Sequence, residues 1–280
     1  MNQKVVLITG ASSGIGMETA LLLLSQGYTV YAGARRLASM QKLQAKGGHI
    51  LPLDVTDEAS MTAFVHTAIE KEGRIDILIN NAGYGSCGAI EDIPLQEIRS
   101  QYEVNVFGLG RMIQLVLPVM RKQNSGKIVN ISSMGGRFTS PFGGWYHSTK
   151  YAVESISDAL RMELLDHSID VILIEPGMIQ TNWGVIAADN IRKYSGSGPY
   201  SRAAGQAADY YTTRYHTLTG RLSDPKQVAK TIAKAISVRH PRTRYTVGKY
   251  ARPFVMLKRL LGDSLFQSLT LSSMGIHPSR

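Results

Sequence analysis

Near the start of the chain an apolar, β-branched run, Val5 to Thr9, leads straight into T-G-A-S-S-G-I-G, Thr9 to Gly16, and then into the helical pattern Met17 to Ser25. Gly10, Gly14 and Gly16, with Ser12, Ser13 and Ile15 between them, let the backbone turn tightly and approach a pyrophosphate. The first turn of the following helix offers free N–H groups and a positive dipole end to the same anion. An ordinary glycine-rich turn needs no such neighbours. Strand before, helix after and a place at the head of the chain favour nucleotide binding.

The rest of the chain repeats the alternation. Short apolar runs recur at Thr29 to Ala34, Ile50 to Leu53, Ile75 to Asn80, Lys127 to Ser132, Asp170 to Glu175 and Arg244 to Val247, with helical patterns between them. Runs without polar alternation belong to strands covered on both faces. The expected fold is α/β: one doubly wound domain with a seven-stranded, mainly parallel sheet and helices on both faces, followed by a C-terminal helical extension. A content of 44% hydrophobic and 19% charged residues excludes disorder and a coiled coil. Residues 1–250 read as one domain with a long irregular insertion at 177–221, the kind of segment that serves as a lid. Met178, Trp183, Val185, Ile186 and Tyr194 from that insertion, with Phe138, Phe142 and Trp145 ahead of it, predict an apolar cleft.

Other classes fall away. No apolar run approaches the ~18 residues of a membrane span, and Met1 to Lys4 passes into Val5 without a signal-peptide layout, so a cytoplasmic location is expected. Cys87 has no cysteine to pair with, and the seven histidines show no metal-ligand spacing, so no metal is expected.

Of the formal charge of +10, +7 lies beyond residue 238, where eight Lys/Arg from Arg239 to Arg280 meet one acid, Asp263. Aromatic and basic nucleic-acid motifs are absent, so the tail points to another anionic partner. Phe254, Leu257, Leu261, Leu265 and Leu269 fall on a helical period, with Gly262 as a break and Lys258 and Arg259 alongside. Two readings stand: 251–280 packs on the same domain, over the insertion and the substrate mouth, or it meets an anionic membrane or an acidic acyl carrier.

At the end of the second strand the position where an acid would bond the ribose diol of NAD holds Ala34, followed by Arg35 and Arg36. Guanidinium groups suit a 2′-phosphate, so NADP(H) is the expected cofactor. The alternative is that both arginines merely open a solvated helix.

Together, the T-G-A-S-S-G-I-G loop, N-N-A-G at Asn80 to Gly83, Asn105 in V-N-V, I-S-S at Ile131 to Ser133, Y-H-S-T-K at Tyr146 to Lys150 and P-G-M-I-Q-T at Pro176 to Thr181 resemble the short-chain dehydrogenases/reductases. The resemblance spans about residues 4–250, and N-N-A-G-Y-G-S-C-G-A with the tail looks most like the hydroxysteroid and retinol dehydrogenase-like branch. It implies a Rossmann domain and an NADP(H)-dependent enzyme that interconverts carbonyls and alcohols. In this likeness Tyr146 protonates the carbonyl oxygen, Ser133 bonds and orients it, Lys150 tunes Tyr146 and holds the nicotinamide ribose, and Asn105 anchors a relay water. Asp54 resembles the adenine contact, Asn80, Ala82 and Gly83 the cofactor-side turn and Thr181 the residue that holds the carboxamide, with Val55, Asn81, Pro176, Gly177 and Ile179 as further cofactor contacts. Asn80 and Asn81 also read as structural residues that bond strand ends, and for Asn80 the two readings stand equal.

A second Y-x-x-x-K, Tyr245 and Lys249, lies in a strand-like run, where four residues span ~13 Å. Tyr146 and Lys150 open the helical pattern Tyr146 to Leu165 and sit one turn apart, ~6 Å, where an ammonium can act on a phenol. His147 reads as a plain helix residue and Cys87 as a small residue of the pocket wall. A non-catalytic NADP(H) sensor on the same fold is the alternative function, and would need only the glycine loop and the arginines. The expected partners are an apolar carbonyl or alcohol substrate, the anionic surface considered for the tail, and further copies of the chain in a homo-oligomer.

Overall fold

The structure is a computed structural model and describes residues 3–217 and 222–277. Met1, the last residues of the expected insertion at 218–221, and Arg280 of the tail lie outside the described residues.

The chain alternates β1 (Val5–Thr9), α1 (Gly14–Ser25), β2 (Thr29–Ala34), the short α2 (Gln41–Gln44), β3 (His49–Pro52), α3 (Glu58–Glu72) and β4 (Ile77–Asn80). It continues through α4 (Leu95–Tyr102), α5 (Leu109–Gln123), β5 (Gly126–Ile131), α6 (Gly144–Glu163) and β6 (Ile169–Pro176). Then follow α7 (Trp183–Ser195), α8 (Ser201–Thr212), α9 (Pro225–Ser237), β7 (Arg244–Val247) and α10 (Ala251–Ser273). The seven expected strands form one sheet in the order β3-β2-β1-β4-β5-β6-β7. Every pairing is parallel, as in Leu7 beside Tyr31 and Leu78, so the sheet is wholly rather than mainly parallel.

The strands work at period two. Val5, Leu7, Leu78, Ile128, Val171 and Leu173 point into one core, closed by α3, α5 and α6. Val6, Ile8, Ile77, Ile79, Val129, Ile172 and Ile174 point into the other, closed by α1 and α9. Burial on both faces is why the strands carry no polar alternation. The strand order reverses between β1 and β4, and in such sheets the crevice beyond the carboxyl ends at that point receives the ligand.

Three local features depart from the sequence pattern. The stretch Tyr102 to Met120 is not one regular helix but carries a π turn, Glu103–Gly108, between α4 and α5, a distortion common at functional sites. The stretch Leu95–Gln123 is long and apolar enough to cross a bilayer by composition, but half of its apolar window is buried in the protein. The insertion, expected as interrupted pieces, forms the packed pair α7 and α8 around Ala187, Ala188, Ile191, Ala204, Ala207 and Ala208, with Cys87 in the same cluster.

In α10 the break expected at Gly262 is present, but the expected stripe does not hold across it. Gly262 takes φ 66°, ψ −177°, a conformation essentially confined to glycine, and resets the helical phase. Phe254 and Leu261 are half-buried, whereas Leu257, Leu265 and Leu269 are exposed; Ala251, Phe266, Thr270 and Met274 make the packed face instead. Phe138 receives that face, with Phe254 stacked at 5.7 Å and Phe266 edge-on at 5.3 Å between ring centroids.

Leu78 is fully buried on the central strand β4. Leu78→Ala is expected to cost about 2–5 kcal/mol, since the transfer and cavity penalties add where neighbouring strands cannot collapse. Urea denaturation checks it.

Candidate active site

Gly10 sits at φ 67°, and a Cβ there would stand 2.8 Å from Ala82 Cα, so only glycine lets the β1 and β4 loops approach. Thr9 joins them: its Oγ1 accepts the N–H groups of Asn81 and Ala82, each at 3.0 Å. Asn81 Nδ2 donates in return to the carbonyls of Thr9 and Gly10, also at 3.0 Å. Ser13 then enters α1 in extended backbone without a side-chain cap, leaving the orphan N–H groups of the first turn for another acceptor.

That turn faces a cavity of about 990 Å³ lying along the carboxyl ends of the strands. Its lining includes Gly10, Ser12, Ser13, Gly14, Ile15, Ala34, Arg35, Arg36, Asp54, Val55, Asn81, Ala82, Gly83, Ser133, Tyr146, Lys150, Pro176, Gly177, Ile179 and Thr181. Two expected site residues are not among them. Gly16 lies behind the loop, where a Cβ would fall 2.5 Å from Asn81 Nδ2. Asn105 is buried in the π turn, where its Oδ1 accepts Tyr84 N at 3.0 Å and its Nδ2 donates to Tyr84 O at 2.8 Å and Thr149 Oγ1 at 3.0 Å. Its side chain holds the strand exit against α6 and does not face the cavity. Asn80 is buried and donates to Asn130 Oδ1 at 2.9 Å, the strand-to-strand bond of its two readings.

Tyr146 and Lys150 lie on the first turns of α6, with Lys150 Nζ 6.0 Å from the Tyr146 ring centroid. Lys150 Nζ also donates to Ile131 O at 2.9 Å, anchoring the helix to the end of β5. Ser133 follows that strand, takes Gly135 N–H on its Oγ at 3.0 Å and bonds the Tyr146 hydroxyl. Burial pushes the Tyr146 phenol up to about 12, with the Ser133 bond acting the other way. Burial pulls the Lys150 ammonium down to about 8, with the Glu154 carboxylate opposing it. The easing of the phenol thus comes from Ser133 rather than from Lys150 as expected, and the cost of burying its charge outweighs it.

At the other end of the cavity burial raises Asp54, but bonds from Thr56 N and Oγ1 and the charge of Arg35 outweigh it and hold the carboxyl below its ordinary range. Tyr245 lies in β7 with its hydroxyl accepting Arg242 N–H at 3.1 Å, and neither it nor Lys249 lines the cavity.

His147 does more than occupy a helix position. Burial lowers it to about 4, so the ring is neutral. Nδ1 donates to Gly135 O at 2.8 Å, which leaves Nε2 to accept Ser140 Oγ–H at 3.0 Å. Ser140 in turn bonds the Tyr211 hydroxyl from α8. The turn carrying Ser133 is thereby tied to the insertion, a link between residues 70 or more apart that adjacent-position reasoning about His147 could not show.

The insertion forms an aromatic wall. Trp183 lies 5.1 Å from Tyr146 and 5.7 Å from Tyr211 between ring centroids, and Tyr215 packs on the backbone of Gly184. Of the expected cleft residues, Phe138, Met178, Trp183 and Ile186 line the cavity. Phe142, Trp145, Val185 and Tyr194 do not; the Trp145 indole donates to Ile90 O at 3.1 Å instead. Tyr210, Tyr211, Tyr215, Phe254 and Met274 take their place. Cys87 is buried behind the wall, its thiol pushed up to about 12 by burial.

A glycine loop on a helix start at the strand reversal, beside a buried tyrosine–serine–lysine group, defines an oxidoreductase of the dinucleotide-binding class. Residues 4–190 match the short chain dehydrogenase family, and the chain belongs to it. It is 36% identical over 266 residues to a probable short-chain type dehydrogenase/reductase, VdlC, of Helicobacter pylori, covering 95% of this chain and 96% of that one. It is 35% identical over 275 residues, at the same coverages, to a 3-ketodihydrosphingosine reductase of Bacteroides thetaiotaomicron. A short-chain dehydrogenase/reductase of Burkholderia phymatum, solved with NAD, superposes with a TM-score of 0.78 at 25% identity, over 100% of this chain and 97% of that one. The activity is therefore oxidoreduction at a carbonyl or alcohol group, with a nicotinamide dinucleotide as cofactor.

Tyr146 stays protonated at neutral pH, whereas Lys150 titrates close to it. Carbonyl reduction is expected to slow as pH rises through about 8, where the ammonium loses its proton and no longer favours the departing phenolate. Glu154→Gln removes the charge that holds Lys150 up, so the break in a pH–rate profile moves to lower pH.

Proposed function

We propose that this enzyme interconverts an apolar ketone or aldehyde and its alcohol at the expense of NADP(H), and that the substrate is steroid-, retinoid- or fatty-chain-like in shape. The observation that carries the substrate class is the lining beside Tyr146, where the rings of Trp183, Tyr211, Tyr215, Phe138 and Phe254 with Met274 make a mainly aromatic wall that outweighs the polar groups of Ser140, Asn182 and Thr270. The 3-ketodihydrosphingosine reductase among its relatives, a protein whose name specifies a long-chain ketone, supports the fatty-chain form. The cofactor preference rests on Ala34, Arg35 and Arg36 at the end of β2, where no carboxylate meets the ribose and two guanidinium groups reach the cavity.

The residues present suit the cofactor: the uncapped first turn of α1 supplies N–H donors for a pyrophosphate, and the approach at Gly10 keeps the crevice clear of side chains. Ser12, Ser13, Gly14 and Ile15 would hold its diphosphate, Arg35 and Arg36 its 2′-phosphate, Asp54 and Val55 the adenine end, and Thr181 the carboxamide end. When bound, it supplies or accepts the hydride. Tyr146 gives its proton to the carbonyl oxygen, Ser133 orients that oxygen by a second hydrogen bond, and Lys150 lends positive charge to the phenolate left behind. Asn105 supports the arrangement from behind by fixing the Gly83–Tyr84 strand exit. A sensor would need neither the buried lysine nor the tyrosine–serine pair, and burying such groups without use is costly.

NADPH is expected to bind at least ~10-fold tighter than NADH, ~1.4 kcal/mol, and Arg35→Ala to remove much of that preference; fluorescence titration reads both. Equal affinities would point to NAD. In a graded carbonyl panel, long-chain and polycyclic ketones should outrun small sugars, and Tyr146→Phe should lose nearly all turnover while binding cofactor normally.

A further inference from the structure

The first half of α10 packs Ala251 and the half-buried Phe254 inward and turns Pro253, Met256, Leu257 and Leu260 outward, at offsets 0, 3, 4 and 7 of one helical face. These side chains are solvent-exposed, Met256 by 61% and Leu260 by 76%. Arg252 and Arg259, seven residues apart, run along one flank of the stripe. Arg252 also opens onto a separate cleft of about 900 Å³ between α9 and β7, where Lys230, Lys234, His240 and Arg242 converge and no carboxylate is among the lining residues. Of its cations Arg244 is committed to Glu154, Asp158 and Glu175, while Lys230, Lys234, Arg242 and Arg252 have no ion pair among the described residues.

We propose that the outward face of α10 and this cationic cleft together dock the protein on an anionic membrane surface, the apolar stripe entering the headgroup boundary and the cations meeting lipid phosphates. An apolar helical face bordered by unpaired arginines is the pattern of an interfacial helix. A second copy of the chain fits less well, because a two-fold interface through this face would bury two copies of a cationic cleft whose lining offers no carboxylate to pair with. The inner side of α10 carries Phe254, Thr270, Ser273 and Met274 of the substrate cavity, so the helix that docks is also a wall of that cavity. The use of the cavity rests on the reductase reading, but the docking does not.

The test is sedimentation of the full chain with vesicles of phosphatidylcholine alone or with about a third phosphatidylglycerol, at low and high salt, without substrate or cofactor. Binding to the anionic vesicles is expected, weakened by salt and at least tenfold weaker for both Met256→Glu/Leu260→Glu and Arg242→Gln/Arg252→Gln, whose turnover of a water-soluble ketone should match the parent. As a second measurement, Leu260→Cys carrying a polarity-sensitive label should shift to the blue on anionic vesicles; Cys87 is buried and does not compete. The proposal is overturned by no binding to anionic vesicles, by undiminished binding of either double variant, or by a dimer in the parent that Met256→Glu/Leu260→Glu dissociates, which assigns the stripe to a second copy. Binding to an acidic carrier protein with none to vesicles would do the same. Because no substrate is present, failure here leaves the reductase reading standing, and failure of turnover leaves the docking standing.

Discussion

Thr9 accepts two backbone N–H groups from the far side of the strand reversal, and Asn81 returns its amide to the carbonyls of Thr9 and Gly10. These four bonds lie among buried or half-buried groups, where an unpaired amide would cost about 1–3 kcal/mol. They hold the loops after β1 and β4 at the separation that the missing Cβ of Gly10 permits. Gly83, two residues past Asn81, is then brought beside Asn105 Oδ1 and Lys150 Nζ, which a Cβ there would meet at 3.1 and 3.5 Å. The nucleotide end and the chemical end of the cavity share this one joint.

The chemical end works under opposed demands. A lysine that favours a phenolate must be close and water-poor, yet burial lowers the ammonium itself and raises the phenol. The structure offsets this with bonds rather than solvent. Ile131 O accepts from the ammonium, Ser133 bonds the phenol, and Glu154 one turn further along α6 supplies the compensating charge. Neutral His147 fixes the turn that carries Ser133 and, through Ser140 and Tyr211, makes the position of the insertion felt at that turn.

Around this frame the insertion and α10 close the cavity with aromatic rings. Phe138 is the meeting point, because it receives Phe254 and Phe266 from one side while Trp183 covers Tyr146 on the other. The same helix that completes the cavity leaves a second apolar face in solvent. A cavity wall and an exposed stripe on one element link the proposed substrate class to the proposed docking surface.

Strands, the glycine loop and the tyrosine–lysine pair were legible in the sequence because each is encoded by neighbours: β-branched runs for buried strands, glycine for positive φ, a spacing of four for one helical turn. Ala34, Arg35 and Arg36, on which the proposed cofactor preference rests, are local in the same sense, since strand end and arginines are contiguous. What joins distant segments was not legible. The π turn places Asn105 behind the cavity because Tyr84 and Thr149 claim its side chain, and no period within 102–120 announces that. The break at Gly262 was legible locally, but the helical phase beyond it was not, so Leu257, Leu265 and Leu269 read as packed positions that the structure leaves exposed. Tyr211 and Tyr215 entered the wall only when α8 packed on α7. Local backbone preference and binary pattern lie in the order of residues, but which face meets which partner is decided by long-range packing, where many weak contacts close at once.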